Sequence, residues 1–597
     1  MEEQKPSRWQ RLQKLSFSRK DLTKRMRRAE SVTIRHARKF IFHRLDNVRE
    51  VRRHIIMWVL AVGILIGASG LQLMWYQNNY QLRAAAPDGT YAEAVMGPID
   101  TLNPLYATNG AEEAASMLLF SRLLQYDSSG RLNNDIASNV TIDDTGKVYT
   151  VKIRPDVKWS DGRFLSSKDV FFTVGLLKSP SLNSTASGWS DITVAVVDDT
   201  TLTFTLPAIY AAFNHALTFP ILPEHILGDV TPNTLRENDF STNPVGSGPF
   251  KLRFVQDIDA LTGRRIVHME RNAAYYKGAS RLERFQLHVY GTHNALLNAL
   301  TAGEVNAASG VRASDIAQVS KNRYEVRSSP IQSGVYALLN TNRSVLKDKA
   351  VRQALQVGTD TQAVRKLLPA NTPALDLPFT NGQLSADVPK APPYSVAAAS
   401  KILDDAGWVV DGSVRKKDGV ELRINVVTTK DNDYERVLEV LAGQWRALAI
   451  KVETLVIDPT DTSQGSLQNI LQQRNFDVLL YQLTIGADPD VYAYWHSSQT
   501  GTRGLNFSNY ANAISDDALA SARTRLEPGL RNTKYVTFAR QWLSDVPAIG
   551  LYQSTIQYAY SKNVVPYKDT NKLVTSADRY SDILYWSVGT QTVFKTP

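Results

Sequence analysis

LRINVVTTKDNDYERVLEVLAGQWRALAIKVETLVIDPTDTSQGSLQNILQQRNFDVLLYQLT, residues 422–484, decides the fold. Leu422 to Thr428 is rich in β-branched and apolar residues and predicts a strand. Tyr434 to Leu448 puts Val437, Val440, Leu441 and Trp445 on one stripe at helical spacing. Ile450 to Ile457 predicts a second strand, Ser466 to Arg474 a helix, and Phe476 to Thr484 a third strand. A βαβαβ order needs crossover helices, which implies a mostly parallel sheet covered by helices, the α/β class. Ligands of such sheets sit beyond the carboxyl ends of the strands. The segment after the last strand, IGADPDVYAYWHSSQTGTRGLNFSNY at 485–510, is therefore the expected pocket lining.

Upstream, Tyr91 to Val95 predicts a strand running into the loop GPIDTLNPLYATNGAEE, and Ala111 to Leu124 has helical apolar spacing. Val148 to Arg154 alternates as a strand, with Tyr149, Val151 and Ile153 on one side. Ser166-Ser167-Lys168-Asp169 is a polar helix entry before the apolar run from Val170 to Leu177. Val194 to Leu206 predicts a hairpin about Asp198-Asp199-Thr200. Downstream, VPAIGLYQSTIQYAYSKNV at 546–564 alternates and is expected to return to the first lobe, giving two or three crossings that form a hinge.

A different stretch governs placement. IIMWVLAVGILIGASGLQLMWY at 55–76 has 22 residues without an ionised side chain. As a helix it spans about 33 Å, against a hydrocarbon thickness of about 30 Å. Trp58, Trp75 and Tyr76 lie towards its ends, where amphipathic rings favour the membrane interface. A buried core helix is the competing reading, and such helices seldom stay uncharged for this length. Residues 1–54 hold 17 Lys and Arg against 6 Asp and Glu, a net +11 in a chain of net +10. The charge bias puts this tail in the cytoplasm and residues 77–597 outside. Ala84-Ala85-Ala86 resembles a signal-peptidase site, but it lies eight residues past a run longer than a usual signal core. The reading is an uncleaved single-pass signal-anchor in the cell membrane. The tail interleaves its cations with Trp9, Leu12, Leu15, Phe17, Ile34, Phe40, Ile41 and Phe42. That pattern suits anionic lipid or plain topological charge; nucleic-acid binding is the competing reading and is not expected.

The chain of 597 residues exceeds one core, and 43% apolar with 21% charged residues is ordinary for a folded body. With no Cys there are no disulfides, thiolate metal sites or thiol nucleophiles, and no Cys-linked lipid. The nine His include no HExxH pair, GSG at 246–248 lacks the spacing of a nucleophile elbow, and no phosphate loop occurs. An enzyme, a cofactor and a metal are not expected.

Eight motifs in order carry a family resemblance: LNPLYATN, LLFSRLLQYDSSGRL, YTVKIRPDVKWSDGRFLSSKDVFFTV, NPVGSGPFKL, MERNAAYYKG, LTAGEVNAA, LLNTNRSVLKDKAVRQALQVGTD and AAASKILDDAGW. Together they resemble the extracytoplasmic solute-binding proteins of peptide and nickel ABC importers, family 5, over residues 90 to about 590. Ser247, Phe250 and Asn306 depart from the family's Thr, Tyr and acid. Most of the motif content is scaffold: Gly162, Gly246 and Gly248 for backbone conformation, Asp161 for its own turn, Asp348 as an N-cap.

The resemblance implies a two-lobed periplasmic-binding-protein-like clamshell of the class II, cluster C type. Lobe I then occupies 90–333, with an inserted subdomain at about 125–235. Lobe II occupies 334–544, and 545–597 returns to lobe I. The basic tail is 1–54, the membrane helix 55–76 and a linker 77–89. The resemblance further implies capture of an oligopeptide between the lobes, through its backbone and through an acid that receives its ammonium, and delivery to ABC permease subunits with their ATPases. Asp488 is the first candidate for that acid and Asp490 the second, a solvated Asp-Pro-Asp turn being the competing reading. Trp159, Tyr481, Tyr492, Trp495 and Asn506 are candidate lining residues, with Asn103, Tyr106 and Asn340 at equivalent family positions. A monomer is expected. A peptide sensor or interaction protein that uses the same clamshell without transport remains the alternative.

Overall fold

The computed structural model describes residues 48–182, 188–259, 262–385, 387–458, 466–566 and 572–594. Most of the basic tail, residues 1–47, lies outside them. The chain divides into two bodies, residues 1–84 with 592–597, and residues 85–591.

The first body holds one long helix, Val48–Tyr80. Its segment Arg52–Tyr76, with mean hydropathy 2.1 and no buried share, is long and apolar enough to cross a membrane. The helix continues through Gln77–Tyr80 and a strand, Gln81–Ala85, follows.

The second body is built on a ten-stranded mixed sheet. Its strands, in chain order, are β1 (Thr90–Met96), β2 (Phe250–Asp259), β3 (Arg264–Arg271), β4 (Arg284–Tyr290), β5 (Ala307–Ser309), β6 (Tyr324–Leu339), β7 (Arg423–Thr429), β8 (Lys451–Ile457), β9 (Val478–Thr484) and β10 (Ala548–Ser561). Across the sheet they run β8-β7-β9-β6-β10-β5-β1-β4-β3-β2. The expected βαβαβ unit is present: β7 pairs parallel with both β8 and β9, and the helices Asn432–Arg446 and Leu467–Gln473 make the crossovers. The sheet as a whole is mixed because β6 and β10 enter antiparallel to each other and to their neighbours β9 and β5.

Those two long strands join the lobes. Their first-lobe halves, Tyr324–Pro330 and Thr555–Ser561, pair together, and so do their second-lobe halves, Gly334–Leu338 and Ala548–Gln553. The register breaks between Pro330 and Gly334, and again between Val335 and Tyr336. A broken ladder weakens local pairing and increases twist where the two strands pass from one lobe to the other. Gly334 and Gly550 flank the break because the 375 segment crosses them. A Cβ at Gly550 would sit 2.3 Å from the Leu375 carbonyl oxygen.

Both faces of the sheet are covered, so alternate residues enter different cores. In lobe I, Tyr91, Val95, Phe285, Leu287 and Tyr558 pack on one face, and Ala92, Ala94, Ala308 and Ala559 on the other. In lobe II, Val335, Ala337, Ile424, Val426, Val478 and Leu480 oppose Tyr336, Leu338, Val427 and Leu479. This two-sided burial explains the unbroken apolar run Val478-Leu479-Leu480.

Between β1 and β2 the chain forms a subdomain around a four-stranded antiparallel sheet, Ala137–Ile142, Val148–Ile153, Thr201–Thr205 and Thr193–Asp198 in spatial order. Its helix, Ser167–Leu177, starts at a capping box of Ser166 and Asp169. The helix Gly110–Leu119 stops five residues earlier than its spacing predicts. At Phe120 the backbone turns extended, where the 246–248 loop packs against it. Gly246 and Gly248 serve that contact rather than unusual backbone angles: Cβ atoms there would lie 1.9 Å from the Leu119 carbonyl oxygen and 2.5 Å from the Leu119 carbonyl carbon. Gly162, at φ +94°, does supply a left-handed turn.

Candidate functional site

Where the lobes face one another, a cavity of about 440 Å³ opens at the carboxyl ends of β1, β5, β7 and β9. Lobe I contributes Met96, His293, Ser309 to Ala313 and the β10 residues Ser554 to Gln557. Lobe II contributes Asp431, Asp433, Tyr434, Gln482, Tyr552 and the 368–372 segment. The volume lies within the usual range of small-ligand sites, roughly 300–1,000 Å³.

Local chemistry orients the acids. Asp431 ends the turn after β7 and caps the helix Asn432–Arg446, its Oδ1 accepting from the backbone N–H of Asp433 (2.9 Å) and Tyr434 (3.3 Å). Asp433, in the first turn, faces the cavity. Burial, and then the neighbouring Asp431, raise its carboxyl above the ordinary range, against the pull of Arg436 and Arg312. Across the gap, burial and Arg312 lower the His293 imidazole, which Asp431 and Asp315 partly offset. The two lobes touch directly where Asn432 Nδ2 donates to Ser314 Oγ at 3.2 Å.

Five buried polar atoms on this wall make no hydrogen bond among the described residues: His293 Nδ1, Arg312 Nε, Thr372 Oγ1, Asp433 Oδ1 and Gln557 Oε1. Buried polar atoms are normally satisfied, and one left bare costs about 1–3 kcal/mol. Together they give the cavity a polar wall. The same wall offers no metal: among the described residues no group of His and acids could hold one.

None of the ten residues singled out from the sequence lines this cavity. Asp488 and Asp490 form a separate seam between lobe II and the subdomain. Asp488 is 12% exposed and lies in a bidentate pair with Arg531, both N–O distances 2.5 Å. His215 of the subdomain stands 3.7 Å from it. Asp490 pairs with Arg523 Nε at 2.9 Å and accepts from the Tyr210 hydroxyl at 3.0 Å, while the Ala211 N–H reaches the Arg523 carbonyl. Burial works against the Arg531 guanidinium, but Asp488 more than offsets it and raises its pKa. Burial lowers His215, against Asp488.

Tyr492 joins this seam, with the Arg523 guanidinium 4.3 Å from its ring centre. Tyr481 is half-buried against Phe507. Trp159 packs inside the subdomain core and Trp495 inside a lobe II core. Asn506 and Asn340 are buried and spend their amides on backbone, Asn506 Nδ2 on the Tyr510 and His496 carbonyls and Asn340 Nδ2 on those of Arg474 and Phe476. Asn103 is buried and caps the short turn Pro104–Tyr106, where Arg236 lies over the Tyr106 ring. Asp431 and Asp433 carried one legible signal, an Asp-x-Asp N-cap straight after a strand of the parallel unit. Arg312, His293 and Gln557 carried none, because only the crossing strands bring them to the same wall.

A family model described as bacterial extracellular solute-binding proteins, family 5 middle, matches residues 131–504. An oligopeptide-binding protein, AppA, of Bacillus subtilis is 28% identical over 535 residues, covering 86% of this chain and 95% of AppA. The solved structure of Bacillus subtilis AppA in complex with a nonapeptide superposes with a TM-score of 0.69 at 25% identity, covering 85% of this chain and 100% of that one. An ABC transporter substrate-binding protein of Listeria monocytogenes, CtaP, shares the fold with a TM-score of 0.73 at 23% identity, covering 84% and 99%.

Proposed function

The chain belongs to the bacterial extracellular solute-binding proteins of family 5, and on that premise we propose that it captures oligopeptides between its lobes and delivers them to an ABC permease. The observation that carries the reading is the interlobe cavity with its five unsatisfied polar atoms. An extended peptide supplies donors and acceptors at every residue, as such a wall requires. The relative that binds a nonapeptide covers nearly all of this chain's extracytoplasmic length and supports the choice of ligand. Bending at the β6–β10 register break opens and shuts the cleft, and ligand favours the shut form.

In the same reading, Arg52–Tyr76 tethers the body to the membrane with the basic tail in the cytoplasm, and the chain acts as a monomer. The lobes divide near Gly334, with the subdomain inserted in the first. Asp488 and Asp490 hold the closing seam, since arginines already occupy both carboxylates. Chemistry stays with the ATPase partners; this chain binds and releases.

The test is calorimetry of the full chain in detergent micelles with a mixture of free peptides of two to nine residues. Saturable binding is expected. No binding of any peptide, with binding of a non-peptide solute, refutes the assignment.

A further inference from the structure

The ten-stranded sheet leaves a stretch of edge open beside the strand crossing. β9 pairs with β6 from Ser333 to Leu339 only, so among the described residues no strand flanks the first-lobe half of β6 on its outer side. The bonding of β10 shows which groups this leaves bare. The Ser561 N–H donates to the Asn306 carbonyl and the Gln557 carbonyl accepts from Gly310, so the odd-numbered residues of β10 bond towards β5. Its even-numbered residues Ile556, Tyr558 and Tyr560 bond towards β6, where they stand opposite Ser329, Arg327 and Glu325. Val326, Ser328 and Pro330 therefore direct their backbone groups outward. Among the described residues, the N–H and C=O groups of Val326 and Ser328 and the C=O of Pro330 make no backbone hydrogen bond on that side. The edge is closed at both ends of this stretch. The Tyr324 N–H donates to the Ser320 carbonyl, the Gln332 N–H donates to the Leu573 carbonyl, and the Gln332 carbonyl accepts from Ile485 and Gly486.

The open stretch lines a cavity of about 790 Å³, together with Gln332, Asn371, Pro373, Asn381 and Gln553. No residue lines both this cavity and the interlobe one. Several of its side chains are already spent. The Tyr560 hydroxyl donates to Glu325 (2.7 Å) and accepts from Arg327 Nη2 (3.2 Å), Asn381 Nδ2 donates to the Ala374 carbonyl (2.9 Å), and Gln553 Nε2 to the Ile331 carbonyl (3.0 Å). What remains for a ligand is main chain, with donors and acceptors alternating along about 13 Å of strand. A bare edge of this kind is a template for an added strand. The volume admits a few residues of extended chain and not the sheet of a second copy. Pro330, which has no N–H, limits the pairing at one end. We propose that residues 326–330 take up an extended peptide segment by strand addition, a second peptide site apart from the interlobe cavity. Recognition through main chain makes this site tolerant of sequence and indifferent to charge at the peptide's ends.

The experiment follows hydrogen exchange of the full chain in detergent by mass spectrometry, with acetyl-Thr-Val-Thr-Val-Thr-amide as the probe. This peptide is uncharged and suits a strand. In the free chain the outward amides of Val326 and Ser328 should exchange fast and the inward amides of Glu325, Arg327 and Ser329 slowly. Peptide should slow the outward pair, and the concentration that half-protects residues 324–330 gives the affinity. Ser328→Pro removes an outward donor without taking a bond from the β6–β10 ladder, and should weaken that protection about tenfold. Ser328→Ala keeps the donor and loses only the hydroxyl that Gln557 Nε2 contacts, and should stay within about twofold of the parent. The same peptide methylated at every nitrogen cannot donate and should give no protection, a control that needs no variant to fold. Unchanged exchange at 324–330 under saturating peptide overturns the proposal, as does protection by the methylated peptide or equal affinity of the proline and alanine variants. In each of those cases binding at the interlobe cavity can still be seen by calorimetry, so the loss of this second site leaves the reading of the first intact.

Discussion

Removing Arg579 should unbalance the most deeply buried ion pair among the described residues of the first lobe. Glu93 lies on β1 with its side chain fully buried, and Arg579 is 2% exposed. The carboxylate accepts from Arg579 Nη2 (2.5 Å) and Nε (3.1 Å), the Tyr580 hydroxyl (2.8 Å) and the Tyr558 hydroxyl (3.0 Å). The pair ties the first strand of the sheet to a segment 486 residues later. Arg579→Met keeps much of the side chain's bulk but leaves the buried charge with two tyrosine donors. Breaking a buried pair by removing one partner typically costs about 3–5 kcal/mol, and that is the loss expected here.

Urea unfolding of the solubilised chain, followed by tryptophan emission, reads this directly, because Trp586 packs 5.3 Å from Tyr91 beside the pair. Glu93→Gln combined with Arg579→Met should recover most of the loss, because no charge remains to strand. A single variant within about 1 kcal/mol of the parent would show that the buried charge is solvated by some other route.

Gly248→Ala should destabilise by about 1–3 kcal/mol or prevent folding, since three backbone atoms of 118–120 lie within 2.7 Å of the new Cβ; an unchanged melting temperature would mean that the loop moves freely. Burial raises Asp578 to about 6, against hydrogen bonds from Thr575 and the charge of Arg122. A carboxyl whose folded value is raised stabilises below its unfolded value of about 4, and that stability is lost as pH rises through about 6. Asp578→Asn keeps a capping acceptor, so the fall in melting temperature between pH 5 and pH 7.5 should be smaller than in the parent; an equal fall refutes the assignment. Asp488→Asn removes the partner of a guanidinium that is 13% exposed and should cost about 3–5 kcal/mol in urea. If peptide affinity in that variant falls more than tenfold while stability holds, Asp488 touches the ligand and the seam reading fails.

The elements were largely legible in the sequence, because each rests on local periodicity. The alternation of Val148–Ile153, the polar entry at Ser166–Asp169 and the 3.6-residue stripe of Val437, Leu441 and Trp445 need no distant partner to be read. The long uncharged run of 55–76 is likewise complete in itself. The rule that ligands sit at strand carboxyl ends points to the edge where the interlobe cavity opens, but the segment it singled out, 485–510, contributes no residue to that cavity.

Which residues meet at that edge was decided by tertiary structure. Asp433, Arg312 and Gln557 are separated by more than a hundred residues at each step, and only the antiparallel crossing of β6 and β10 brings their lobes together. Asp488 looked available because a sequence shows the acid but not the arginine 43 positions on that fills it. Trp159 and Trp495 looked like walls because an aromatic reads the same whether it faces a cleft or a core. Local order depends on near neighbours along the chain, whereas burial and pairing depend on neighbours in space, and those exist only once the lobes have packed.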